Sequence, residues 1–153
     1  MVVSGAEEYI GHQRLASVGY PKKLLREEDG IWELVGNGVA KGLLPVRPSA
    51  GHKGIFGSLL VVGGSTGMTG APILAGGSGL KSGVGLVYLA CPESLNQVFE
   101  ANLIEALTVA LDDDGGYLSY ESLDSLVGAV EDKDAVAIGP GLGRREETKD
   151  LVL

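Results

Sequence analysis

The stretch from His52 to Pro92 constrains the possible fold more than any other part of the chain. It reads HKGIFGSLLVVGGSTGMTGAPILAGGSGLKSGVGLVYLACP: an apolar run from Leu59 to Val62, a loop crowded with Gly, Ser and Thr, a helix of small residues, and a second apolar run from Leu86 to Ala90. Two short apolar runs joined through a glycine-rich turn and a helix of about twelve residues are the pattern of a right-handed βαβ unit in a parallel sheet. Open parallel sheets bind ligands at the carboxyl ends of their strands. The loop Gly63 to Gly70 falls at such an end.

The residue types of that loop narrow the ligand chemistry. Gly63, Gly64, Gly67 and Gly70 permit close backbone approach, Ser65, Thr66 and Thr69 bring hydroxyl donors, and Pro72 suits the first turn of a helix. A row of N–H groups at a helix N-terminus suits an anion. The spacing Gly64, Gly67, Gly70 is not GxGxxG, and no Lys follows as a Walker loop requires, so neither fingerprint is present. The same glycines also fit a tight turn that only lets the helix pack closely on the sheet, and both readings stay open here.

Beyond Pro92 the pattern repeats. Ser94 to Asn102 puts Leu95, Val98 and Phe99 on one helical face, and Ala106 to Leu111 reads as a strand. Asp112-Asp113-Asp114-Gly115-Gly116 lacks the spacing of a calcium loop and reads as a solvated hairpin or loop tip. Ser119 is placed to cap the next helix, with Tyr120, Leu123, Leu126, Val127 and Val130 as its buried stripe. Asp134 to Ile138 is another strand, and it runs into a second glycine loop, Gly139-Pro140-Gly141-Leu142-Gly143, ahead of a helix that starts at Arg144. Two such loops at the carboxyl ends of one parallel sheet would face the same crevice, which favours a ligand site.

The 153 residues, 44% of them hydrophobic, suffice for one modest core. Twenty acidic against 12 basic residues, net charge −8, argue against a nucleic-acid partner. Cys91 is the single cysteine, so no intramolecular disulfide forms, no metal-ligand cluster is evident, and the residue reads as a packed thiol. No apolar run reaches the ~18 residues of a membrane span and no signal peptide opens the chain, so the expectation is a cytoplasmic protein with no membrane partner. His52 and Lys53 precede the first strand, at the end opposite to ligands, and read as anchors of the linker.

Upstream, residues 1–20 show no clear period, residues 22–36 allow short helical pieces, Gly36 to Gly42 reads as a flexible join, and Leu43 to Pro48 as a stiff, extended connector. The chain stops on an apolar phase of a helix. The expectation is a junction between domains in a chain cut at both ends.

HKGIFGSLLVVGGSTGMTGAP, LKSGVGLVYLACP and AIGPGLGR together resemble the ADP- or ATP-dependent NAD(P)H-hydrate dehydratases, a repair family with a ribokinase-like fold. GAEEYIGHQRLASVGYPKKLL resembles the closing strand and exit segment of the NAD(P)H-hydrate epimerase domain that precedes the dehydratase in bifunctional members, and LLPVRPSAGHKG resembles the linker between them. The resemblance implies an α/β fold, a three-layer α/β/α ribokinase-like domain with a mainly parallel sheet, truncated after about four strands. It divides the chain into an epimerase-like tail (1–21), a linker (22–51) and the N-terminal half of a dehydratase domain (52–153).

The implied chemistry is nucleotide-dependent dehydration of (6S)-NAD(P)H hydrate: ADP or ATP, with Mg2+, phosphorylates the 6-hydroxyl, and phosphate then leaves under the push of the ring nitrogen. By motif matching, Ala71, Gly139, Gly141 and Gly143 hold the hydrate. The family's nucleotide-side and catalytic motifs have no counterpart here, so no catalytic and no metal residue is assigned, and this chain carries part of the substrate cradle. The complete protein is expected to be a homo-oligomer, a tetramer. Met68 stands where the family has an aromatic residue, and His12 to Ala16 is a poorer strand than the family's.

Two further expectations follow. Gly141→Val should weaken substrate binding with the fold intact, and the chain alone should not turn over the hydrate, since no Asp, Glu or His is placed at a strand end beside a helix N-terminus. The alternative from another class is a non-catalytic nucleotide- or phosphate-binding α/β module.

Overall fold

The computed structural model describes Gly19, residues 36–44, Pro48 and residues 50–153. The readings made for residues 1–18 and 20–35, the epimerase-like tail among them, lie outside the described residues, as do residues 45–47 of the Leu43–Pro48 connector. The chain divides into two compact units, Met1–Leu43 and Leu44–Leu153. In the first, the segment expected to be a flexible join is instead an exposed helix, α1 (Asn37–Leu43). The Ala40 N–H donates to Gly36 O at 3.1 Å. Such a turn needs only local bonds, and Ala40, Lys41 and Leu43 are good helix formers that offset Gly38 and Gly42.

The second unit is built on a parallel sheet. Its elements run β1 (Ser58–Val62), α2 (Gly70–Ser82), β2 (Leu86–Pro92), α3 (Asn96–Asn102), β3 (Leu107–Leu111), the two-residue strands β4 (Asp113–Asp114) and β5 (Tyr117–Leu118), α4 (Leu123–Glu131), β6 (Ala135–Ile138) and α5 (Glu146–Val152). The main sheet has the order β3-β2-β1-β6, all neighbours parallel, and β4 and β5 form a separate antiparallel hairpin. Ser58 pairs with Leu86, Leu59 with Ala135 and Tyr88 with Leu107.

Because side chains alternate along a strand, this register sorts the apolar residues onto two faces. Val61, Val87, Leu89 and Cys91 pack with Phe99 of α3 and with Ile73 and Leu80 of α2. Leu60, Val62, Ala90 and Leu111 pack with Leu118, Leu126 of α4 and Leu151 of α5. Helices therefore cover both faces, and the expected three-layer α/β/α arrangement with a parallel sheet is present. Leu60, Val61, Val62 and Leu89 are wholly buried, each contributing about 1.5–3 kcal/mol relative to exposure.

The small-residue composition of α2 has a packing cause. A Cβ on Gly76 would lie 2.9 Å from Leu89 Cδ2, and one on Gly79 would lie 2.8 Å from Leu59 Cδ2. The helix rests directly on β1 and β2, which fixes the height of its N-terminus over the sheet. At the opposite end of the strands, Ser58 donates its N–H and its hydroxyl to Asp134 Oδ2, at 2.8 and 2.9 Å. His52 and Lys53 lie at that same end, just before β1, where a Cβ on Gly85 would collide with Lys53 O.

Three residues placed on buried helical faces are exposed: Val98 (41%), Tyr120 (54%) and Val127 (51%). Tyr120 lies in a 3-10 turn (Tyr120–Ser122) ahead of α4, and the helices are short, seven residues in α3 and nine in α4, so each turns only one narrow strip to the sheet. Phe99 takes that strip in α3, and Leu123, Leu126 and Val130 take it in α4. Ser119 also caps differently from expectation. Its carbonyl accepts Ser122 N–H at 3.2 Å and the Ser122 hydroxyl at 2.7 Å, while its own hydroxyl has no partner.

Candidate functional site

The sheet is wound outward from β1 through β2 to β3, then returns to the other side of β1 at β6. That reversal opens a crevice at the carboxyl ends of β1 and β6, the place where doubly wound sheets hold ligands. The first glycine loop leaves β1 and the second leaves β6, so both arrive there.

The loops are bonded directly to one another. Gly64 N–H donates to Pro140 O at 2.9 Å, the Ser65 hydroxyl to Gly141 O at 2.7 Å, and Gly139 N–H to Val62 O at 3.1 Å. A Cβ on Gly63 would collide with Pro140 O, and one on Gly141, at φ 73°, with Met68 O. Glycine at these positions is thus required by loop-on-loop contact. The hydroxyls expected to serve a ligand are partly spent. Ser65 is buried and committed to Gly141, and Thr66 gives its N–H to Gly116 O at 2.9 Å and its hydroxyl to Gly115 O at 3.0 Å.

What the first loop still presents is the start of α2. Met68 N–H closes a turn onto Ser65 O at 2.8 Å with Gly67 at φ 82°, and this turn delivers Gly70 and Ala71, both exposed, to the first turn of a 13-residue helix. The N–H groups of such a turn and the aligned helix dipole favour negative charge or a carbonyl oxygen.

The four residues matched to the substrate divide into two pairs. Gly139 and Gly143 line a groove of about 490 Å³ together with Leu142, Arg144, Glu146 and Lys149. Gly141 lies instead against Met68, next to the entry of α2 and hence near Ala71. The groove that Gly139 and Gly143 line includes neither Ala71 nor Gly141.

Glu146 was missed from the sequence. It is the first residue of α5 and lines the groove beside Gly139 and Gly143, so a carboxylate does stand just past a strand end at a helix start. The signal was Glu146-Glu147 two residues after the glycine loop, acids in a first helical turn. Lys149 pairs with it at 3.1 Å across an exposed surface. Arg145 lines the same groove and ties it to the hairpin: its Nη1 donates to Asp114 O at 3.0 Å and Asp114 Oδ2 at 2.6 Å, and its guanidinium lies 4.1 Å over the Tyr117 ring, against which Gly143 is packed.

The acidic run is also more than a solvated tip. Asp113 accepts Ser94 N–H at 2.8 Å, the Ser94 hydroxyl at 2.9 Å and Gly116 N–H at 2.7 Å. Desolvation pushes its carboxyl up, but these three donors outweigh it and hold it below the usual aspartate value. Cys91 is buried, and desolvation, with the Glu100 and Asp113 carboxylates adding to it, pushes its thiol up to about 12, in keeping with a packed, inert residue. Among the described residues no three of His, Cys, Asp and Glu come together as a metal site. None of the described helices is long and apolar enough to cross a membrane.

Residues 59–153 match the family model described as NAD(P)H-hydrate dehydratase. The chain is 37% identical to a bifunctional NAD(P)H-hydrate repair enzyme of Dictyoglomus turgidum over 97% of its own length, and 37% identical to another of Moorella thermoacetica over 99%. It spans 30% and 29% of the length of those two relatives. Of solved structures, it is similar to the ADP/ATP-dependent NAD(P)H-hydrate dehydratase of Bacillus subtilis co-crystallised with ATP/Mg2+, with 29% identity, a TM-score of 0.59, and coverage of 75% of this chain and 39% of that one. A ribokinase-like superfamily protein of Enterococcus faecalis aligns with a TM-score of 0.63 at 25% identity, over 77% of this chain and 38% of that one.

Proposed function

The chain belongs to the NAD(P)H-hydrate dehydratase family, and from that premise we propose that its glycine-loop crest is part of the substrate cradle in the nucleotide-dependent conversion of (6S)-NAD(P)H hydrate to NAD(P)H. The observation that carries this reading is the direct bonding of the two motif loops, Gly64 to Pro140 and Ser65 to Gly141, at the reversal point of the sheet. The first turn of α2, with Ala71, and the second loop, with Gly139, Gly141 and Gly143, are the surfaces assigned to the hydrate.

In this reaction the 6-hydroxyl gives its proton to a base and its oxygen bonds to the terminal phosphorus of ADP or ATP as the bond to the nucleotide, released as AMP or ADP, breaks. The phosphorylated oxygen then leaves with its electron pair, the ring nitrogen supplies the replacing pair, and loss of a proton from the neighbouring carbon restores the dihydronicotinamide. The part of this chain is to bind and orient. The N–H groups at the start of α2 hold an oxygen of the substrate, and Ala71 and Gly139 leave space for the ring and ribose at the crevice. Mg2+, when bound, would neutralise phosphate charge; among the described residues no three of His, Cys, Asp and Glu gather to hold it. The second reading, a module that binds a nucleotide or phosphate without chemistry, draws on the same N–H groups at the start of α2. The first reading also assigns the protein to the cytoplasm and to a homo-oligomer.

The cleanest variant is Ala71→Leu, because Ala71 is exposed and ordinary helical backbone accepts a larger side chain. Titration of the chain with (6S)-NADPH hydrate should give saturable binding, weakened about tenfold or more in Ala71→Leu, a loss of roughly 1.4 kcal/mol, with circular dichroism unchanged. Equal affinities in the two proteins, or no binding by either, would remove Ala71 from the substrate surface.

A further inference from the structure

The triple-aspartate run at the end of β3 holds one carboxylate that reaches the candidate site through a chain of direct hydrogen bonds. Asp113 ties the exit of β2 to the hairpin, accepting the Ser94 N–H and hydroxyl on one side and Gly116 N–H on the other. Gly116 O in turn accepts Thr66 N–H, and Gly115 O accepts the Thr66 hydroxyl. Ser65, the next residue, bonds Gly141. One belt therefore links the carboxyl ends of all four strands of the main sheet, and its only ionised member is Asp113.

We infer that Asp113 is a positioning residue for the first glycine loop: its carboxylate fixes the β4–β5 hairpin so that the Gly115 and Gly116 carbonyls stand where Thr66 finds them. Arg145 also holds this hairpin, at Asp114 and over Tyr117, but two features make its Gly115–Gly116 tip depend on Asp113. Gly115 and Gly116 take positive φ, 59° and 82°, in a turn between two-residue strands that carries little order of its own. The contact is also close, since a Cβ on Gly116 would collide with Thr66 Oγ1. Hydrogen bonds to a carboxylate are about twice as strong as neutral ones. Loss of the carboxylate frees the hairpin tip, then Thr66, and with it the turn that aims Gly70 and Ala71.

The inference deepens the substrate-cradle reading and rests on it only for the second of two measurements. The first is amide hydrogen exchange on the full 153-residue chain, comparing Asp113→Ala and Asp113→Asn with the unmodified protein. Asp113→Ala should speed exchange at Gly116 and Thr66 about tenfold or more, while Leu60, Val61 and Leu89 in the sheet keep their protection. Asp113→Asn keeps one acceptor oxygen for Gly116 but sets an amide N–H₂ against a Ser94 donor, so its effect should be intermediate. The second measurement is affinity for (6S)-NADPH hydrate, expected to fall about tenfold in Asp113→Ala.

Unchanged exchange at Thr66 overturns the inference. So does equal acceleration at Thr66 and at the core amides, which would make Asp113 a residue of general stability. If Asp113→Ala does not fold, Thr66→Val carries the test: it removes the bond to Gly115 O and should release the same turn, and unaltered exchange at Met68 would count against the belt. If Thr66 responds as expected while the unmodified chain fails to bind the hydrate, the belt stands and the substrate reading falls.

Discussion

At the scale of single residues, the sequence names the participants of the crest but not their partners. That Gly141 matters is legible in GPGLG; that its missing side chain makes room for Met68 O is not, because the contact joins positions far apart in the chain. The same holds for Ser65, whose hydroxyl looks available to a ligand until Gly141, 76 residues away, is found to accept it. The expectation that Gly141→Val would spare the fold is therefore corrected. A β-branched residue at φ 73° with its Cβ driven into a carbonyl costs on the order of 1–3 kcal/mol or more. Urea unfolding of Gly141→Val should show a lower midpoint with an unchanged slope, and an unshifted midpoint would mean that the loops separate more easily than their bonds imply.

At the scale of elements, the βαβ core was readable because its signals are local: apolar runs for β1 and β2, small residues for α2, glycine after each strand. Strand limits agree with the sequence reading to within a residue or two at β1, β2, β3 and β6. The helix faces were read less well, since in α3 and α4 the buried strip depends on which side the sheet lies, and periodicity over seven or nine residues hardly fixes that. Ties between elements were not legible at all. Asp134, at the entry to β6, is the plainest case: the Ser58 N–H and hydroxyl donate to its carboxylate and hold it below the usual aspartate value. A group whose pKa is lowered by folding adds stability above its unfolded value, and that stability is lost as pH falls through the folded value. The melting temperature should consequently drop as pH falls below about 4, and Asp134→Asn should flatten that acid limb. An identical acid limb in the variant would show that the β1–β6 tie contributes nothing measurable.

For the molecule as a whole, the order β3-β2-β1-β6 decides where chemistry can occur. Asp113 and Asp114 are spent on the hairpin's own ties, to Ser94 and Gly116 and to Arg145, whereas Glu146 lines the groove beside Gly139 and Gly143. The reason first given for expecting no turnover, that no acid stands at a strand end by a helix start, therefore does not hold. The family and the fold were legible because the motifs fall in family order on one sheet; the pairing of site residues, Gly139 with Gly143 and Gly141 with Met68 near Ala71, needed the structure. The most direct test of the central claim is nuclear magnetic resonance mapping of the isotope-labelled chain titrated with (6S)-NADPH hydrate. The amides of Gly70, Ala71, Gly139, Gly141 and Gly143 should shift together in a saturable manner, while Ser58 and Asp134 at the opposite end of the strands stay still. Shifts confined to the Ser58–Asp134 end, or none on addition of the hydrate, would contradict the assignment of the crest as a substrate cradle.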